Sequence, residues 1–227
     1  MTDPDARRAS IRAAEERAMA LLDRIEALGL IASGRTEREV EQDIHALAAA
    51  EFGVEKHWHK RICRAGINGL ATARDNPPVL TIAADDLVYL DLGPVFEEWE
   101  ADVGRSYALG GDPDKHRLAA DLPIQFDRAK AHFDANPAIT GAELYRYACD
   151  GAAAAGWRFG GVIAGHIVGE FPHAHLPGGK DYYRINPANT APLRGPDPLG
   201  NERLWILEIH LVDPAGRYGG FYERLMS

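Results

Sequence analysis

Two short motifs, Thr36-Glu-Arg-Glu39 and Thr140-Gly-Ala-Glu143, set the strongest limit on how this chain folds. Each is a T-x-x-E capping box, in which the threonine hydroxyl accepts the glutamate amide and the glutamate carboxylate accepts the threonine amide. Each therefore starts a helix. Alanines 48–50 precede a stop at Gly53, and alanines 152–155 precede one at Gly156. A long amphipathic pattern comes before each motif, over residues 4–29 and 113–135. Apolar, strand-like runs come after each. The order helix, helix, strands is thus written twice, over halves 1–110 and 111–227. It predicts one α+β domain of two pseudo-symmetric halves, with a curved, mostly antiparallel sheet inside and helices outside.

The strands of the first half are predicted at residues 87–92 and 99–109, after mixed segments at 57–63 and 66–78. Those of the second half are predicted at 204–212 and 218–226, after a glycine-rich apolar run at 159–169. Residues 177–201 are rich in Pro, Gly, Asn and Asp and predict a long surface loop, a candidate lid.

At 227 residues, 46% hydrophobic and 26% charged, the chain has the composition of a soluble globular protein. A net charge of −9 argues against nucleic acid or an anionic membrane as a partner. Two cysteines, Cys63 and Cys149, exclude a disulfide framework and suit a reducing compartment. Neither a secretory core nor a membrane-length apolar run is present, so cytoplasm is the expected location.

Asp91 and Asp102 lie on two apolar arms that fold back about Phe96 and Glu97. Opposed side chains on antiparallel arms stand roughly 5 Å apart, and like charges there repel. Two carboxylates in a sheet must share a proton, take basic partners or bind cations. Three further groups fall on apolar segments: His166, Glu208 and Glu223. Four carboxylates match two divalent cations in charge, and a mostly oxygen set with one imidazole suits Mn²⁺, Fe²⁺, Co²⁺ or Zn²⁺.

The segment Asp91-Leu-Gly…Ala101-Asp-Val-Gly-Arg-Ser resembles the first metal motif of the pita-bread metallopeptidases. That superfamily includes methionine aminopeptidase, Xaa-Pro aminopeptidase, prolidase and creatinase. Gly165-His166 with His173 and Pro177 resembles its histidine motif, and Glu208 and Glu223 resemble its two glutamates, in the family order. The resemblance implies that Asp91 chelates one metal, that Asp102 and Glu223 bridge two, and that His166 and Glu208 complete the second. It also implies a bridging hydroxide as nucleophile, Glu208 as its proton acceptor, and His173 as a substrate contact stabilising the oxyanion. The implied substrate is a short peptide, cleaved at its first peptide bond. Alternatives are a creatinase-like C–N hydrolase on a small molecule and a non-catalytic binding protein. A homodimer is compatible with each.

The chain departs from the family pattern in places. Residues 69–77 lack the histidine that methionine aminopeptidases carry before the first aspartate, and Glu208-Ile-His210 replaces Glu-Pro. The extra N-terminal domain of prolidases, Xaa-Pro aminopeptidases and creatinases is not expected in residues 1–227. His175 shares an extended face with His173 and is a candidate substrate contact. His210 shares a face with Glu208 and is a candidate for orienting it. His57 and His59 read as structural or surface residues, and Trp99, Trp157 and Trp205 as core.

Overall fold

The computed structural model describes residues 3–173, 176–177 and 179–226. Helix α1 (Pro4–Ala27) starts at Asp3, whose carboxylate accepts the Asp5 amide at 3.1 Å, with proline in the first turn. Its buried stripe is Ile11, Ala14, Ala18, Leu21, Leu22 and Ile25, spaced three and four apart. Helices α2 (Glu37–Phe52) and α4 (Gly141–Ala154) both open on the capping boxes read from the sequence. Helix α3 (Pro113–Ala135) is capped by Asp112 and buries Leu118, Leu122, Phe126, Ala129 and Phe133.

The main sheet is antiparallel at every pairing. It runs β2 (Ile62–Ala65), β3 (Leu87–Leu92), β6 (Val103–Ala108), β10 (Gly219–Leu225), β9 (Leu204–Val212) and β7 (Arg158–Phe159), with β8 (Gly165–Val168) also paired to β9. The halves therefore meet where β6 pairs with β10. A smaller sheet joins β1 (Lys56–His57), β4 (Pro94–Phe96) and β5 (Trp99–Glu100).

Alternation along the strands sorts the side chains. Val88, Leu90 and Leu92 of β3 pack with the α1 and α2 stripes. Trp205, Leu207, Ile209 and Leu211 of β9 pack with α3 and α4. The intervening residues, Tyr89 and Asp91 on β3 and Glu208 and His210 on β9, are thereby turned to the opposite face. Trp99, Trp157 and Trp205 are buried, as expected for core residues.

The described residues of 177–201 form the irregular, largely exposed segment expected from the sequence, pinned to the core at a few points. Ile185 and Leu193 are fully buried, and Lys180–Tyr183 forms a 3-10 turn. The polar composition serves the loop's own backbone. Asn186 Oδ1 accepts the Ala188 and Asn189 amides, Asn189 Nδ2 donates to the Arg184 carbonyl at 2.8 Å, and Asp197 Oδ1 accepts the Leu199 and Asn201 amides. Side chains that replace ladder partners allow an irregular segment to be buried at such points. Among the described residues, no helix is long and apolar enough to cross a membrane.

Candidate metal centre

The sheet register builds the site. Asp91 pairs with Gly104, Gly104 with Glu223, and Glu223 with Glu208, so one row across four strands sets three carboxylates on one face. Gly104 interrupts the row because a Cβ there would lie 2.6 Å from Phe221 Cδ1 and 3.1 Å from Glu223 Cβ. Asp102 stands just before β6. The Leu92–Val103 pairing offsets it by two positions from Asp91, where the sequence had suggested near-opposition. The two still share a face, and Asp102 is 2% exposed.

His166 enters from β8, paired to Ile206 of β9. Its Nδ1 bonds the Ile167 carbonyl at 2.7 Å. Its Nε2 lies 3.1 Å from Asp102 Oδ2, 3.6 Å from Glu208 Oε1 and 3.8 Å from Glu223 Oε1. The five groups singled out in the sequence therefore converge, and all five line a cavity of about 710 Å³.

His173 lines the same cavity. Buried Glu100 of β5 accepts both its backbone amide, at 3.0 Å, and its ring Nδ1–H, which leaves Nε2 for the cavity. His210 also lines the wall, but its Nε2 donates to the Gly69 carbonyl at 2.8 Å instead of orienting Glu208. Burial lowers its pKa, with the Gly69 carbonyl acting in the opposite direction. His175 lies outside the described residues.

One group was misread. His59, taken as structural or surface, points into the carboxylates, with Nε2 3.1 Å from Asp102 Oδ1 and 3.4 Å from Asp91 Oδ1. A change of register places it there. Lys56 and His57 pair with Val95 and Pro94, whereas Ile62 pairs with Asp91, so four residues on one strand face two on the other. Such a bulge re-aims side chains. Trp58, in the same bulge, donates from Nε1 to the Ala101 carbonyl at 3.0 Å. Its indole packs edge-on against His59, His166 and His173, with centroids 4.5, 5.3 and 5.0 Å away. Gly93 makes this approach possible, since a Cβ there would lie 2.2 Å from His59 Cδ2 and 2.6 Å from Trp58 Nε1. His57, by contrast, faces Arg61 and His45, and burial holds its pKa down at about 4.

The bare side chains demand positive charge. Burial pushes the Asp91 carboxyl up to about 6 and Glu208 up to about 7. Burial, with Asp102 and Glu208 nearby, raises Glu223 well above the usual range. Asp102 goes the other way: burial acts to raise it, but His59 and His166 together hold it down at about 2. Burial would lower both imidazoles, yet the facing carboxylates raise His59 to about 10 and His166 to about 9. Glu223 Oε2 is buried with no hydrogen-bond partner. An orphaned carboxylate oxygen beside three other carboxylates is a group that a cation would satisfy. Ligand atoms of His59, Asp91 and Asp102 lie within 4.8 Å of one another, as do those of Asp102, His166 and Glu223. The two groups share Asp102. The residues fit divalent metal.

Known proteins agree. An Xaa-Pro dipeptidase from Lactobacillus helveticus is 29% identical over 146 residues, which is 64% of this chain and 39% of that protein. An X-Pro aminopeptidase from Thermotoga maritima superimposes with a TM-score of 0.74 at 19% identity, covering 98% of this chain and 58% of that one. A prolidase from Thermococcus sibiricus gives 0.71 at 20% identity, covering 96% and 55%. The chain thus spans two fifths to three fifths of the length of these relatives. The model of metallopeptidase family M24 matches residues 9–216. With that match across both halves of the sheet and the carboxylate row at their junction, the chain belongs to metallopeptidase family M24 and has its pita-bread fold.

Proposed function

We propose that this chain is a dinuclear metal-dependent exopeptidase, an aminopeptidase or dipeptidase that hydrolyses the first peptide bond of short peptides. The observation that carries the reading is the convergence of Asp91, Asp102, His166, Glu208 and Glu223 on one wall of one cavity. Both halves contribute to that wall, so the catalytic unit is the whole domain. Asp91, Asp102 and Glu223 would hold one cation, and His166, Glu208, Asp102 and Glu223 the other. The oxygen-rich set suits Mn²⁺, Fe²⁺, Co²⁺ or Zn²⁺. When bound, such cations supply Lewis acidity toward a peptide carbonyl and lower the pKa of a water molecule.

The protein's own groups do the rest. Glu208 faces the cavity and is placed to accept and return a proton. His173, anchored through Nδ1 by Glu100, presents Nε2 to stabilise a developing oxyanion. Ile62, Tyr89 and Phe221 form an apolar wall. Arg74, Lys180 and Arg184 also line the cavity and put positive charge in it, which suits a substrate ending in a free carboxylate. The dipeptidase name of the Lactobacillus relative supports that substrate class.

The test is direct. Protein stripped with chelator and reloaded with Mn²⁺ or Co²⁺ is offered a panel of dipeptides. Turnover should require metal and vanish in Asp102→Ala, with metal content falling from two ions per chain. Metal uptake with no peptide turned over would refute the peptidase reading, and no uptake would refute the metal reading.

A further inference from the structure

The register bulge between β1 and β2 gives the carboxylate cluster a second imidazole that the five-residue set does not include. His59 Nδ1 bonds the Lys60 carbonyl at 2.6 Å. A carbonyl only accepts, so Nδ1 carries the hydrogen, and the neutral ring then presents a lone pair at Nε2. That nitrogen faces Asp91 Oδ1 at 3.4 Å and Asp102 Oδ1 at 3.1 Å. Three electron-rich atoms at such spacing repel unless a proton or a metal ion joins them, and a metal ion bound there would take the place of the Nε2 proton. Two ligands each roughly 2.1 Å from one ion stand about 3.0 Å apart at a right angle and about 3.4 Å apart at the tetrahedral angle. The observed separations match the edges of one coordination polyhedron.

His166 is built the same way on the other side. Its Nδ1 is held by a backbone carbonyl one residue on, and its Nε2 faces Asp102 Oδ2. Asp102 therefore turns one oxygen toward each imidazole. The arrangement is held from outside by Trp58, which packs on both rings, and it requires glycine at position 93.

The geometry points to His59 as a sixth metal ligand, binding through Nε2 the cation held by Asp91 and Asp102, so that each of two cations carries one imidazole. This rests on the dinuclear reading given above. Ala71, Thr72, Ala73, Arg74 and Asn76 line the cavity without a histidine, and His59 brings an imidazole to it from the bulge between β1 and β2.

Cobalt-loaded protein tests the assignment without relying on activity. Metal analysis gives ions per chain. Proton NMR in H₂O and D₂O counts the exchangeable, paramagnetically shifted imidazole N–H signals, since both rings keep Nδ1–H on a backbone carbonyl. Two ions with two such signals, one of them lost in His59→Gln, is the expected result. The variant should also bind its weaker ion less tightly by at least the roughly 10–100-fold that loss of an outer-shell partner costs. Two ions with a single signal would overturn the assignment while leaving the dinuclear reading in place. A single ion would overturn the dinuclear reading, and the presence or absence of the His59 signal would still decide this one. No uptake would overturn both. If His59→Gln does not fold, the count of signals in the unmodified protein decides.

Discussion

Gly93→Ala is a sharp test of how the site is assembled, because the structure sets the size of the conflict. The added methyl carbon would sit 2.2 Å from His59 Cδ2, 2.4 Å from His59 Nε2 and 2.6 Å from Trp58 Nε1. Ordinary contact begins at 3.4 Å, so the imidazole must retreat by about 1 Å. Neither ring is free to do so. His59 is tied through Nδ1 to the Lys60 carbonyl, and Trp58 through Nε1 to the Ala101 carbonyl. Overpacking a filled site costs about 1–3 kcal/mol. Losing one of these hydrogen bonds adds about 1 kcal/mol. The expected destabilisation is therefore about 2–4 kcal/mol, read by urea denaturation of the chelated protein, where metal affinity cannot contribute. Gly104→Ala serves as a second probe in the same row, since its added carbon meets Phe221 and not the histidine. A Gly93→Ala protein as stable as the parent within about 0.5 kcal/mol would refute the account, because it would mean that His59 and Trp58 do not occupy the space over position 93.

Other expectations follow from buried groups. Glu37 is 2% exposed and accepts the amides of Ala65 and Leu80 and the side-chain amide of Asn68 at 2.8–3.0 Å, so Glu37→Ala should cost about 3–5 kcal/mol in denaturant unfolding. A loss under 1 kcal/mol would show that those donors find other acceptors. Glu100→Gln should lower kcat about 10–100-fold with metal content unchanged, because it loosens His173 alone; an equal loss of metal would contradict that division of roles. The Glu170 pKa lies below its ordinary value through its hydrogen bond to Arg7, so its contribution to stability is complete above about pH 4.5 and is lost as pH falls through the lowered value. Glu170→Gln should flatten the acid limb of a Tm-against-pH curve; an unchanged limb would remove the pair from the acid response.

What could be read from the sequence was what a short window contains. The helix starts at Thr36 and Thr140 are encoded by residues three apart, and both capping boxes are formed. Strand β9 matched its predicted bounds because nine residues of nearly unbroken apolar character admit few other readings. Residues 177–201 were legible as a surface loop from their Pro, Gly, Asn and Asp, but that Ile185 and Leu193 anchor the loop in the core depends on partners outside the window. The offset of Asp102 from Asp91 and the aim of His59 both depend on register, which is a relation between segments and is absent from either one alone.

For His59 the discrepancy is two residues between the pairing of His57 with Pro94 and that of Ile62 with Asp91. A histidine two positions from another on an extended segment should share its neighbour's face. The bulge breaks that rule and sends His57 toward Arg61 and His59 toward the carboxylates. The one local trace of the event is Gly93, a residue without a side chain two positions past Asp91, where an ordinary strand would carry one. A glycine on the ligand face of a strand beside an acidic residue is thus a reason to ask which side chain from another segment fills the gap. In this chain the answer is an imidazole whose two ring nitrogens are both committed, one to a backbone carbonyl and the other to the space between two aspartates.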